Sequence, residues 1–165
     1  MVNIRNAVST DLPEMAKIYN QAIRETAATF DLREQTLEER QQWFDKYGEN
    51  HPLIVAEING EVAGYSSLSP FRDKEAYSRT TELSIYISPS FQGKGVGKSL
   101  MKEILSRAES LGHHVVIGGI TGGNAVSVRL HEQFGFTFVG CFKEVGYKFD
   151  QWQDVHFYQL VLTNG

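Results

Sequence analysis

The stretch TTELSIYISPSFQGKGVGK, residues 80–98, decides the fold of this 165-residue chain. Its first half alternates, with Leu83, Ile85 and Ile87 on one face and Glu82, Ser84 and Tyr86 on the other. That is the period of a β-strand. Pro89 ends the strand because it brings no ladder donor. The second half places Gly93, Gly95 and Gly97 within QGKGVG (92–97), directly before a helical pattern of Val96, Leu100, Met101, Ile104, Leu105, Ala108 and Leu111. Glycines between a strand and a helix N-terminus let several N–H groups converge on an anion. Lys94 and Lys98 add positive charge.

On the N-terminal side, residues 2–8 read as a strand, and Ser9-Thr10-Asp11 offers capping oxygens ahead of Pro13. A helix follows with Leu12, Met15, Ile18, Tyr19, Ala22 and Ile23 as its buried stripe. Thr36 and Glu39 have capping-box spacing, so a second helix begins there with Trp43, Phe44 and Tyr47 turned inward. Residues 53–58 and EVAGYSSL form a hairpin about Asn59-Gly60, a dipeptide suited to a type I′ turn. On the C-terminal side, Gly112 closes the third helix and a strand starts at Val115. A glycine-rich bend leads to Asn124, a fourth helix runs to about Gly135, and two strands finish the chain.

The predicted fold class is α/β, with no repeat, no linker and no low-complexity tract, so residues 1–165 form a single domain. The hydrophobic fraction of 41% supports a real core. A net charge of −4, with both signs interspersed, disfavours nucleic acid as a partner. Cys141 is the only cysteine, which excludes an intramolecular disulfide and suits a reducing compartment. The first fifteen residues lack the apolar run of a signal peptide or membrane span, which predicts a cytoplasmic protein with no membrane partner. His51, His113, His114 and His156 have no ligand spacing with carboxylates, so no metal is expected.

Spacing separates the phosphate-binding possibilities at QGKGVG. An ATP-binding P-loop needs glycine five residues before Gly97, and that position is Gln92. A dinucleotide fingerprint needs its third glycine at Lys98. The remaining pattern is Gln or Arg, two residues, Gly, one residue, then Gly or Ala, which Gln92, Gly95 and Gly97 satisfy.

That pattern resembles the acetyl-CoA loop of the GNAT superfamily of N-acetyltransferases, and the predicted order of elements resembles that fold across residues 2–162. TTELSIYISPSFQGKGVG, GNAVSVRLHEQFGF and EVGYKFDQWQDVHFYQL are similar to its phosphinothricin and methionine sulfoximine acetyltransferase branch. The resemblance implies a mixed sheet of six or seven strands flanked by four helices, with splayed central parallel strands. It implies acetyl-CoA as co-substrate. Pantetheine would meet the main chain of Ile85, Tyr86 and Ile87. The pyrophosphate would meet Gln92, Gly93, Lys94, Gly95, Val96, Gly97 and Lys98, with Asn124 also on the cofactor.

Acetyl transfer to an amine needs a base for the ammonium and a proton for the departing thiolate. The branch assigns the base to a glutamate at the position of Glu82, acting directly or through water. His131 lies seven residues after Asn124, two helical turns on and on the same face. It is the second catalytic candidate, as acid, base or positioning group, in a place where many superfamily members carry tyrosine. Tyr86 is a weaker alternative acid. The loop FRDKEAYSRT (71–80) gathers Arg72, Lys74, Glu75 and Tyr77, which with Phe30 would hold an anionic amino acid or analogue. Cys141 lacks the surroundings of a nucleophile. The aromatic run at the C-terminus suggests a homodimer contact. Two other readings stay open, another amine or peptide N-terminus as acceptor, and a non-catalytic acetyl-CoA-binding module.

Overall fold

A computed structural model describes residues 1–162. The elements run β1 (Asn3–Asn6), α1 (Leu12–Glu25), α2 (Leu37–Phe44), β2 (Leu53–Ile58), β3 (Glu61–Pro70), β4 (Thr80–Ile87) and α3 (Val96–Ser110), then β5 (Val115–Thr121), α4 (Ala125–Gln133), β6 (Thr137–Lys148) and β7 (Gln151–Val161). The strands form one seven-stranded sheet in the order β1-β2-β3-β4-β5-β7-β6. β4 and β5 pair in parallel, and the other neighbours are antiparallel.

Local chemistry sets most boundaries. Glu39 N–H donates to Thr36 Oγ1 at 3.1 Å and Thr36 N–H donates to Glu39 Oε1 at 2.9 Å, the reciprocal capping box that starts α2. Asn59 and Gly60 both take positive φ, 52° and 82°, as a type I′ hairpin turn requires. Asp11 does not cap α1 as expected. Its carboxylate accepts the Val8 N–H at 2.8 Å and two hydrogen bonds from Arg5, at 2.7 and 2.9 Å. A short 3-10 turn at Ser9–Asp11 therefore leads into the helix.

The sheet separates two cores. α3 buries Val96, Leu100, Met101, Ile104 and Ala108 against Ile54, Leu68, Leu83, Val116 and Ile120, and α4 adds Val128 and Leu130 on that side. On the opposite face α1 sets Leu12, Met15 and Ile18 against Leu53, Val55 and Tyr65, with Trp43 of α2 and Tyr86 of β4 beside them. The α1–α2 connection crosses the β5 and β6 region of this second face. Thr121 Oγ1 donates to the Ala27 carbonyl at 2.6 Å, and Lys148 Nζ to the Thr29 carbonyl at 2.8 Å. Among the described residues no helix is long and apolar enough to cross a membrane.

Replacing Thr36 by Ala removes one arm of the capping box and should cost about 1 kcal/mol. The melting temperature should fall by roughly 2–4 °C in a domain of this size, while Thr36→Ser should melt as wild type. Calorimetry that found both variants equal would show that the box does not hold α2.

Candidate active site

β4 and β5 pair at Thr80–Val115, Thr81–Val116 and Glu82–Ile117, and then part. β4 continues to Ile87 with its other edge still joined to β3, through Ile85–Ser66, Tyr86–Tyr65 and Ile87–Gly64. From Leu83 onward its β5-facing edge carries main-chain polar groups without a strand partner. Such an edge accepts an extended, amide-bearing chain as it would a strand. Ile85, Tyr86 and Ile87 all lie on it.

The loop after β4 stands at the open end of this wedge. Gly93 and Gly95 adopt φ of 76° and 80°, and nothing lies within 4 Å of where a Cβ would sit on either. Their backbone is both left-handed and open to an anion. α3 starts at Val96, so the first-turn N–H groups have no intrahelical acceptor. Gln92, Lys94 and Lys98 are exposed, whereas the Val96 side chain is buried, leaving only its main chain to face a ligand. Gly97 also serves packing, because a Cβ there would meet Ile87 at 3.2 Å and Leu130 at 3.3 Å. It lets α3 close on β4 and α4. Asn124 caps α4, its Oδ1 accepting the Ser127 N–H at 3.2 Å. This open cradle and the unpaired edge fit a pyrophosphate joined to a chain of amides.

Glu82 sits at the last paired position, where the wedge opens. It alternates with Leu83 and so shares a face with Ser84 and Tyr86, the α1/α2 side. Burial pushes its carboxyl pKa up, and the positive charge of Arg72 offsets part of that rise. Tyr86 stacks edge-on against Tyr19 at 5.3 Å and beside Tyr65 at 5.5 Å. Burial raises its pKa further from neutrality, which makes it a poorer acid.

His131 approaches from the opposite side. It is 6% exposed and edge-on to Phe136 at 4.9 Å, with Nε2 against Gly118, where an added Cβ would lie only 2.8 Å from it. Gly118 follows Ile117, the partner of Glu82, so its open side faces α4. The two catalytic candidates therefore flank the split from opposite faces of the sheet. His131 Nδ1 lies 2.7 Å from the Ser127 carbonyl, which can only accept, so Nδ1 carries the proton and Nε2 the lone pair. Burial lowers its pKa, partly countered by that hydrogen bond.

On the Glu82 face, a cavity of about 760 Å³ lies between the sheet and the α1–α2 layer. Ser84 and Tyr86 of β4, Tyr65 of β3, Tyr19 of α1, and Arg40 and Trp43 of α2 line it. Of the expected acceptor residues, none lines this cavity. Phe30 packs over Gly146, so closely that a Cβ there would collide with the ring. Arg72 lies over Phe71 at 4.7 Å and acts on Glu82 through its charge. Lys74, Glu75 and Tyr77 form an exposed 3-10 turn, Tyr77 edge-on to Phe71. Arg40 was not foreseen. The available signal was its place three residues before Trp43, on the helix face assigned to the core.

Antiparallel pairing also gathers Cys141, Asp154 and His156, whose donor atoms lie within 4.8 Å of one another, although spacing had given His156 no carboxylate neighbour. Hydrogen bonding accounts for the cluster. Asp154 Oδ1 accepts the Glu144 N–H at 2.8 Å, and Cys141 Sγ lies 3.8 Å from His156 Nε2.

Residues 13–136 match the sequence model of the Acetyltransferase (GNAT) family. An L-methionine sulfoximine/L-methionine sulfone acetyltransferase of Salmonella typhimurium is 37% identical over 162 residues, covering 98% of this chain and 95% of that protein. The crystal structure of a GNAT superfamily phosphinothricin acetyltransferase from Sinorhizobium meliloti, in complex with acetyl-CoA, superposes with a TM-score of 0.96. It is 35% identical and covers 99% of this chain and 90% of that one. A ribosomal-protein-alanine N-acetyltransferase from Brucella melitensis superposes with a TM-score of 0.95 at 40% identity, covering 97% and 99%. The parted strands and the open glycine loop thus have their counterpart in an acetyl-CoA complex, and the chain belongs to the GNAT family of acetyl-CoA-dependent acetyltransferases.

Proposed function

We propose that this chain acetylates the amino group of a small amino acid or analogue, of the methionine sulfone, methionine sulfoximine or phosphinothricin type, by direct transfer with Glu82 as base. The observation that carries this reading is the position of Glu82, half-buried at the point where β4 and β5 part and on the face that holds the cavity. Acetyl-CoA, when bound, supplies an acetyl group activated as a thioester. The β4 edge and the loop at residues 92–98 hold and orient it, with Asn124 at the start of α4. Glu82 removes a proton from the incoming ammonium, directly or through one water, because a carboxyl held above its usual pKa is a stronger base. Aromatic walls exclude water around the amine. His131, neutral and with its lone pair on Nε2, is suited to accept a hydrogen bond or proton from the α4 side rather than to donate one. Direct transfer needs no thiol, and Cys141 lies away on β6.

The name of the Brucella relative supports a second reading, a peptide N-terminus as acceptor. The cavity of about 760 Å³ on the Glu82 face has room for a small molecule. A further part of the proposal is a homodimer. β6 is the edge of the sheet, and Phe138, Phe142 and Val145 on it, with Trp152 on β7, are all more than half exposed. A second copy would cover them.

Thiol release should be seen with acetyl-CoA and methionine sulfone, and Glu82→Gln should lower turnover by about 10²–10⁴ while leaving acetyl-CoA binding intact. Wild-type rates in the variant would remove Glu82 from the mechanism. Turnover of peptides but of no amino acid would establish the second reading, and turnover of nothing would leave a binding module.

The acid limb of kcat/KM should follow Glu82 and lie above the ordinary glutamate value of about 4.3. Removing the nearby cation with Arg72→Gln should move that limb to higher pH. A carboxyl whose folded pKa is raised withdraws stability as pH climbs through that value. Glu82→Gln should therefore melt higher than wild type at pH 7 and equal to it at pH 4. An unshifted limb and equal melting at pH 7 would contradict the burial of Glu82.

Light scattering should give the mass of a dimer, and Phe142→Asp that of a monomer. A wild-type monomer at micromolar concentration would refute the contact.

A further inference from the structure

The β6–β7 ribbon gathers a thiol, an imidazole and a carboxylate that the proposed reaction does not use. Cys141 and His156 are direct partners in the ladder, so their side chains emerge on one side of the sheet. Asp154, two residues before His156, emerges there too. A bulge sets its carboxylate. Pairing jumps from Phe142–Val155 to Gly146–Gln153, which leaves Lys143, Glu144 and Val145 opposite Asp154 alone. Glu144 takes a left-handed φ of 56°, and its N–H donates to Asp154 Oδ1 at 2.8 Å. Among the described residues Asp154 forms no salt bridge.

The hydrogen bonds that hold this cluster also preset it for a cation. Its three donor atoms lie within 4.8 Å of one another. Tetrahedral zinc, with bonds of about 2.3 Å to sulfur and about 2.0 Å to nitrogen, keeps those two atoms about 3.5 Å apart. Cys141 Sγ and His156 Nε2 stand at 3.8 Å, so they close on an ion with little movement. The Glu144 N–H serves as the outer partner that orients a ligating carboxylate, and it leaves Oδ2 for the ion. Room for a fourth ligand lies beside Gly122, where a Cβ would touch Asp154 Cβ and His156 Nε2, each at 3.6 Å. All three side chains are half-buried, and the Phe138 ring is tilted against His156 at 6.0 Å. The site is thus partly shielded from solvent and still open to entry.

We propose that Cys141, Asp154 and His156 bind a divalent cation of the zinc type, with water in the fourth position beside Gly122. The donor set selects the ion. Thiolate and imidazole favour zinc and its transition-metal neighbours over magnesium and calcium, which take oxygen ligands. On binding, the Cys141 thiol gives its proton to solvent and a sulfur lone pair goes to the cation. His156 binds as the neutral imidazole, through Nε2 with its proton on Nδ1. The ion clips β6, the edge strand, to β7 beside the bulge. No step of the proposed acetyl transfer passes through it.

Cobalt(II) titration of the full chain, after dialysis against a chelator, tests the site. Cys141 is the only cysteine, so a thiolate-to-cobalt charge-transfer band reports on this position alone. One equivalent should produce the band, zinc should displace the cobalt, and a large excess of magnesium should not. Cys141→Ser should abolish it. His156→Gln and Asp154→Asn should each weaken binding by about 10-fold or more, since even an outer partner of a metal ligand contributes about 10- to 100-fold. Asn at position 154 keeps an acceptor for the Glu144 N–H, so the bulge survives that change. No band in wild type, or an unchanged affinity in His156→Gln or Asp154→Asn, overturns the assignment.

Melting gives a second readout. Zinc at about 100 times its Kd should raise the wild-type melting temperature by roughly 5–10 °C and leave that of Cys141→Ser where it was. Equal rises in the two proteins would place the ion on other groups and sink the site.

Discussion

Parallel pairing between β4 and β5 stops at Glu82–Ile117, and this interruption organises the molecule. A strand edge left unpaired inside a sheet is a row of donors and acceptors that water or a ligand must satisfy. The fold confines the cost. β3 stays bonded to β4 as far as Ile87, and β7 stays bonded to β5 as far as Thr121. Each strand is thus held from behind while its inner edge is free. α3 begins where the gap is widest and Asn124 starts α4 on the other bank, so two helix N-termini frame the opening. An extended chain of amides ending in a pyrophosphate would satisfy the edge and the loop together.

The same split lets two chemically different faces meet. Residue alternation commits Glu82, Ser84 and Tyr86 to the α1/α2 side and Leu83 with Gly118 to the α3/α4 side. In a continuous sheet, groups on these faces would be isolated by a layer of backbone. Where β4 and β5 diverge, a carboxyl on one face and an imidazole on the other border a common gap. Gly118 makes this possible, since any side chain there would displace the His131 ring. Their environments also differ. Burial raises the Glu82 carboxyl, which favours taking a proton, and lowers His131, which keeps it neutral with a free lone pair.

Local signals in the sequence were read as the fold uses them. The alternation of residues 80–87, the Thr36–Glu39 box, the Asn59-Gly60 turn and the helix before Gly112 depend on neighbours within a few residues. The glycine loop was equally plain, although Gly97 turned out to serve packing between α3, β4 and α4. What could not be read was whatever depends on distant pairing. Cys141 and His156 face one another because β6 and β7 pair in a particular register. Asp11 answers Arg5 instead of its helix, because β1 brings the guanidinium there. The cavity on the Glu82 face was hidden for a similar reason. Its lining joins Tyr19, Arg40 and Tyr65, residues from three separate elements, with Asp73 of the loop at 71–80.

The α1/α2 layer carries a concentration of buried charge that packing alone does not explain. Glu82, Arg40 and Lys148 all stand on this side or at its edge. Burial works against the charged form of Glu82 and of Lys148. Lys148 is compensated by the Thr29 carbonyl, and its bond ties the α1–α2 connection to β6. Thr29 in turn lies 2.9 Å from the Tyr19 hydroxyl, so the tie also sets one wall of the cavity. Arg40 has aromatic faces and one long hydrogen bond, and Glu82 has only a distant guanidinium. The opposite core around α3 is built almost wholly of aliphatic groups and has no comparable debt. Apolar packing is thus concentrated on the α3/α4 side of the sheet. The α1/α2 side keeps two incompletely satisfied charges of opposite sign.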